Sequence, residues 1–176
     1  PIVIRIPYGG GIGAVEHHSE SPEAYFSHTP GLKVVTCANP ADAYQMIQQA
    51  ISSDDPIVFF EPKRRYWEKG SVELDAAPDF PLHASRLIRE GTDATVLAYG
   101  PMVRTALDAA AAATEDGREL DVIDLRTLSP LDMGPVYESV RKTGRCVVVH
   151  EAPGNLGLGA EIAARITEEC FYSLEA

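Results

Sequence analysis

An α/β fold built on parallel sheet is the class this sequence predicts, and three observations predict it. Between residues 94 and 169, strand-like apolar runs alternate with segments of helical period, the pattern of crossover connections between parallel strands. The run 57–60, Ile-Val-Phe-Phe, is apolar at every position, as a strand covered on both faces must be. Ahead of it, Asn39 and Pro40 open a stretch in which Ala43, Met46, Ile47, Ala50 and Ile51 recur at helical spacing. An N-cap residue followed by proline at the first helical position is a start signal that fits that periodicity.

Each element follows in order. Residues 2–6 alternate branched apolar side chains with Arg5 and read as a strand, followed by a loop over 8–31 and a second strand over 32–37. The helix over 41–52 comes next, and Pro56 ends its connection to the apolar strand 57–60. Over 64–87 the periodicity dissolves into charged residues, Gly70, Pro78 and Pro81, a linker composition. The chain is therefore expected to divide into a unit over 1–66, a linker over 67–88 and a second unit over 89–176. In the second unit the predicted order is strand 94–99, helix 103–114, strand 122–125, helix 131–142, strand 146–150 and helix 159–169.

Composition bounds the function. A chain of 176 residues with 45% apolar content can bury a core. Fifteen basic against twenty-six acidic residues give a net charge of -11, which repels a phosphate backbone and argues against nucleic acid as a partner. Cys37, Cys146 and Cys170 are odd in number and contain no C-x-x-C pair, so they read as buried thiols in a reducing compartment. The longest apolar runs, such as 109–113 and 147–149, fall well short of the ~20 residues a membrane span needs. Pro1 opens directly into a strand with no secretory leader in view, and the expected location is the cytoplasm, or the mitochondrial matrix in a eukaryote.

The stretch from His17 to Gly31, HHSESPEAYFSHTPG, carries most of the chemistry. Three histidines and several hydroxyls crowd a segment that Pro22 and Pro30 break up, so a regular helix is not expected there. Dense donors and acceptors on an irregular segment after a strand are how a scaffold presents proton-handling groups. Gly9, Gly11 and Ala14 satisfy G-x-G-x-x-A, but no apolar helical face follows, and the glycines read as tight turns rather than a nucleotide loop. Lys63, Arg64 and Arg65 read as a solvated basic turn, and the glycine-rich 154–159 as a weak anion site.

The same stretch resembles the HS-x-SPEA-(Y/F)-F-x-H-x-PG-(L/I)-K-VV signature of beta subunits from the decarboxylating component of 2-oxo acid dehydrogenase complexes. IVFFEPK at 57–63, VIDLRTLSP at 122–130, KTGRCVVVHEAP at 142–153 and FYSLEA at 171–176 resemble that family in the same order and spacing. The resemblance implies the C-terminal part of a thiamine-diphosphate pyrimidine-binding domain, followed by most of a transketolase C-terminal-type domain that is incomplete at its C-terminus. HSESPEAYF resembles the branched-chain enzymes most. That implies decarboxylation of a branched-chain 2-oxo acid, in branched-chain amino acid catabolism, with the acyl group passed to lipoyl-lysine of an acyltransferase. Pyruvate or acetoin is the alternative substrate, and a non-catalytic module docking on the acyltransferase core is the alternative role. A transketolase or deoxyxylulose-phosphate synthase is a further rival sharing the C-terminal domain.

Site residues carried over by the resemblance are His18, beside the reactive carbon of thiamine diphosphate, and His28, whose role is either catalytic or a support of the loop. His17 is a neighbour; Ser19 and Ser21 either position His18 or cap a turn. His150, Glu151 and Pro153, at the carboxyl end of a strand, are expected to serve an interface. A structural potassium ion is implied at Ala50, Ser53 and Asp55 with the start of the first strand, although Ser53 and Asp55 depart from the aspartate and asparagine usual there. The glutamate that activates the cofactor lies outside the chain and the magnesium and diphosphate ligands belong to an alpha subunit, so this chain alone is not expected to be catalytic. The implied partners are that alpha subunit, a second beta subunit in a heterotetramer, and the lipoylated acyltransferase with its subunit-binding domain.

Overall fold

The computed structural model describes residues 1–175, and its two sheets are each assembled around parallel strands. In the first, β1 (Ile2–Tyr8), β3 (Pro56–Pro62) and β2 (Lys33–Thr36) run parallel, with β3 central and Val3 paired with Ile57. In the second, β6 (Leu120–Asp124), β5 (Ala94–Ala98) and β8 (Cys146–Val149) run parallel around β5. The helices between them are α2 (Pro40–Ile51), α3 (Met102–Glu115), α4 (Gly134–Thr143) and α5 (Leu158–Cys170). Local chemistry sets their ends. The Asn39 side-chain Oδ1 accepts from the Asp42 N–H at 2.9 Å to open α2, and Gly144, at φ 68, closes α4.

The alternation along β3 builds the core. Ile57 and Phe59 face Met46 and Ala50 of α2 together with Leu82, whereas Val58 and Phe60 join a second cluster. That cluster runs through Leu97, Ile123 and Leu125 to Val136, Val140 and Ile162, so the first sheet and the helices α4 and α5 share one apolar interior. On the opposite face of the second sheet, Ala106 and Ala110 of α3 pack on Val96, Ala98 and Val122. Burial pushes the Cys37 and Cys146 thiols up to about 12, which fits inert thiols rather than reactive ones.

Three features differ from the expectation. Residues expected to lack regular helix contain α1 (Glu23–Ser27), because Pro22 occupies the N-cap, where its missing N–H costs nothing, and Pro30 lies beyond the end. Neither sheet is purely parallel. β4 (Arg86–Arg89), at the end of the expected linker, pairs antiparallel with β6, and β7 (Thr127–Ser129) pairs antiparallel with β2. The second half thus lends a strand to the first sheet.

A buried ion pair pins the same junction. Arg126, with φ 55, reaches Asp42 on α2, its N–H donates to Asp124 Oδ1 at 3.0 Å, and its carbonyl accepts from the Thr36 N–H at 2.8 Å. The Arg126 guanidinium lies 5.0 Å over the Phe80 ring, which anchors the connecting segment.

Candidate functional site

Parallel strands deliver their carboxyl ends to one edge, where ligands of open α/β folds bind. Here β1 ends at Tyr8, β2 at Thr36, β5 leads into Tyr99 and Gly100, and β8 leads into His150 and Glu151. Tyr8 and Thr36 share a buried hydrogen bond of 2.9 Å beneath Gly100. At Gly100, with φ +52, an added Cβ would stand 2.0 Å from the Tyr8 hydroxyl oxygen and 2.9 Å from Thr36 Oγ1. Gly100→Ala is therefore expected to lose roughly 2–4 kcal/mol of stability, from overpacking and left-handed backbone together. Urea denaturation of the full-length chain checks it, and an unchanged midpoint would show that this contact is loose.

The glycine run after β1 turns tightly, with Gly9, Gly11 and Gly13 all at positive φ, and no helix begins within it. Its neighbour is Glu151. The Gly10 N–H donates to Glu151 Oε2 at 3.0 Å, and Arg64 Nη1 pairs with Glu151 Oε1 at 2.9 Å. Arg64 and Arg65 also both donate to the Pro101 carbonyl at 3.1 Å. The basic turn expected to be solvated is thus a clamp joining the β3 end to the α3 start. A Cβ on Gly9 would lie 3.1 Å from Glu151 Oε2, so the glycine permits this approach.

His18 stands on the loop beyond those glycines. Its N–H donates to the Ala14 carbonyl at 3.2 Å, and the loop base is closed by the Gly9 N–H on the Glu20 carbonyl at 2.9 Å. The His18 ring is half-buried, lies edge-on 6.4 Å from His17, and makes no side-chain hydrogen bond among the described residues. A half-buried imidazole with its nitrogens uncommitted can take or give a proton. His28 sits apart at the end of α1. It is exposed on the rim of a cavity of about 400 Å³ with Ser129, Leu131, Glu161 and Arg165, and no hydrogen bond or ring contact joins it to His18.

Between them lies a carboxyl that sequence reasoning missed. Glu23 is 1% exposed, and neither of its oxygens has a hydrogen-bond partner. Burial foremost, then the charge of Glu151, pushes its pKa up to about 7. The Tyr99 hydroxyl nearby is also buried without a partner, and its ring stacks on His150 at 6.0 Å. Acidic residues in the first turn of a helix are commonplace, so nothing in SPEA marks this one as buried. Glu151 was legible at the end of an apolar strand, although its partner Arg64 was not.

Ala50, Ser53 and Asp55 fall in one turn. The Ala50 carbonyl accepts from the Ser53 N–H at 3.3 Å, and Ser53 Oγ accepts from the Asp55 N–H at 3.1 Å. Ile2 and Val3 run beside it through their pairing with Pro56 and Ile57. The donors are hard oxygens with lone pairs left over, which suits an alkali cation. Among the described residues there is no group of three His, Cys, Asp or Glu that could hold a metal.

Comparison with known proteins bears on the family of the chain. The profile of the family described as transketolase, pyrimidine binding domain, matches 1–68, and that of transketolase, C-terminal domain, matches 83–176. The chain is 60% identical over 176 residues to the pyruvate dehydrogenase E1 component subunit beta of Leifsonia xyli subsp. xyli (strain CTCB07), covering 100% of the chain and 52% of that relative. It is 51% identical to the 3-methyl-2-oxobutanoate dehydrogenase subunit beta of Mycobacterium tuberculosis, over 100% of the chain and 51% of the relative. The chain therefore spans about half the length of the curated relatives it matches. Among solved structures, a split-gene transketolase described as an inactive beta4 tetramer superposes with a TM-score of 0.75 at 26% identity, over 95% of this chain and 53% of that one.

Proposed function

Because the chain belongs to the transketolase family, through its pyrimidine-binding and C-terminal domains, we propose that it is part of the beta subunit of a thiamine-diphosphate-dependent 2-oxo acid dehydrogenase. Residues 1–66 form the pyrimidine-binding portion and 89–176 the C-terminal domain, joined by 67–88. Thiamine diphosphate, bound with magnesium at the contact with an alpha subunit, supplies the electron sink that decarboxylation requires. What this chain contributes is His18, which holds and moves a proton as the acyl group leaves for the lipoyl arm of an acyltransferase. The observation that carries this reading is the half-buried His18 ring, uncommitted among the described residues and mounted at the carboxyl edge of the sheets. His28, a turn beyond Glu23, supports the loop and faces the cavity it shares with Glu161 and Arg165.

A branched-chain 2-oxo acid is the proposed substrate, on the strength of HSESPEAYF and the 51% identical relative named for 3-methyl-2-oxobutanoate. The 60% identical relative named for pyruvate favours the second reading, pyruvate. A potassium ion at Ala50, Ser53 and Asp55 steadies the turn between α2 and β3. The proposed setting is the cytoplasm, or the mitochondrial matrix of a eukaryote; no helix among the described residues is long and apolar enough to cross a membrane. Bare apolar side chains, including Tyr25, Leu156 and Tyr172, fit a chain that works against an alpha subunit, a second beta subunit and the acyltransferase's subunit-binding domain.

Co-expression of the full-length parent with its alpha subunit tests the reading, by acyl transfer to a lipoyl domain from 3-methyl-2-oxobutanoate, pyruvate and acetoin. The expected kcat/KM for the branched acid exceeds that for pyruvate by about tenfold or more, the discrimination an apolar pocket gives for extra methyl groups. A reversed order would establish pyruvate, and no transfer from any of the three would overturn the assignment.

A further inference from the structure

We propose that Glu23 is a positioning residue for His18: carried as the neutral acid, it holds α1 against the carboxyl edge of the sheets, and its ionisation releases the loop. This rests on the reading of His18 as the proton-handling group. Glu23 lies five residues after His18, on the helix that continues directly from the His18 loop. Its carboxyl is sealed from solvent with both oxygens unpartnered, flanked in sequence by the equally unpartnered hydroxyls of Ser19 and Ser27.

The groups that reach Glu23 come from three strand ends, and none is a cation. Tyr8 from β1 and Tyr99 after β5 both feel its charge, and Glu151 after β8 repels it. Arg64 is spent on Glu151, Pro101 and Met102, and His150 stacks on Tyr99. On β2 and β7, which α1 also touches, the only charged residue is Lys33, whose influence falls on His83, and on α5, across the cavity beside Ala24 and Ser27, Arg165 is paired with Glu161 at 2.6 Å. A carboxylate without counter-charge, eased only by its own backbone N–H, is disfavoured in such a place, so the site holds the proton or the helix leaves.

The sign follows from linkage. A docked Glu23 titrates near 7 and a released one near its ordinary 4.5, so docking is fully supported below about 4.5. As pH rises from there towards 7, the released state gains about tenfold per pH unit, and above 7 the balance levels off.

Hydrogen exchange on the assembled full-length enzyme, expressed as protection factors between about pH 5 and 8, tests this. Protection over residues 17–28 is expected to fall about fortyfold from pH 5 to 7 in the wild type, and to stay level in Glu23→Gln, which keeps the shape without the charge. Asp124 also titrates near 7, so β5 and β6 serve as the internal reference for any global loosening. Level protection in the wild type, or the same fall in Glu23→Gln, would overturn the proposal. Acyl-transfer rates measured alongside separate the two ideas. A fall in protection with a rate indifferent to His18→Ala removes the His18 reading and leaves loop control by Glu23 standing, whereas level protection with a rate that needs His18 does the reverse.

Discussion

Replacing Arg126 with methionine is expected to destabilise the full-length chain by about 3–5 kcal/mol, the loss typical of breaking one side of a buried ion pair. Arg126 is 1% exposed and its guanidinium is the partner of Asp42. Asp42 is already engaged by the Asn39 side-chain amide at 2.6 Å in the cap of α2. Behind it lies Asp124, fully buried and raised to about 7, first by burial and then by Asp42. Methionine fills a similar volume and leaves Asp42 and Asp124 facing each other, with Arg86 the remaining cation that acts on Asp124. Asp124 sets the pH signature: raised to about 7, it loses charge on acidification, so the deficit of the variant is expected to shrink between pH 7 and 5. Urea denaturation at the two pH values checks both the size and the direction. Adding Asp42→Asn is expected to recover part of the loss at pH 7, since it removes one of the stranded charges. A single variant within about 1 kcal/mol of wild type would show that Asp42 and Asp124 find other partners or water.

That ion pair also shows where the fold was legible and where it was not. Long periodic segments declared themselves: α3 extends one residue past its predicted limits at each end, and α5 does the same. The wholly apolar strand 57–60 is the core of β3, paired on both sides as its composition required. What escaped was short. β7 has three residues and β4 has four, too few for any period to emerge, and both take their identity from the strand they pair with. Arg126 followed them out of sight, because a buried arginine is defined by a carboxylate eighty-four positions away, and sequence order carries no record of that contact.

The candidate site divides on the same line. His18 and the glycines were readable because a residue type or a backbone freedom announced them. Glu151 was readable in part, as the end of an apolar strand. Glu23 and Arg64 were not, since an acid in a first helical turn and a basic triplet look like ordinary surface until the strand ends close around them. The turn proposed for potassium lies between these cases: Ala50, Ser53 and Asp55 do share a turn, but two of its oxygens first serve the chain's own N–H groups.

His18→Ala is expected to lower acyl transfer to the lipoyl domain by about a hundredfold to ten-thousandfold, the range spanned by loss of a positioned proton-transfer group. The ring's isolation allows so large a change with so little loss of stability. It contacts His17 edge-on at 6.4 Å and donates no side-chain hydrogen bond within the described residues, so its removal opens no cavity in the core and orphans no partner. Folding free energy should stay within about 0.5 kcal/mol of wild type. The loss should also be selective: decarboxylation followed with an artificial electron acceptor should change far less than transfer to the lipoyl domain, because only the second step needs this proton to move. Free imidazole supplied to the variant should restore part of the transfer rate, which a purely structural defect would not allow. Unchanged transfer with an intact assembly would leave the chain a docking surface for the acyltransferase, whereas lost assembly would place His18 in a subunit contact instead of a reaction.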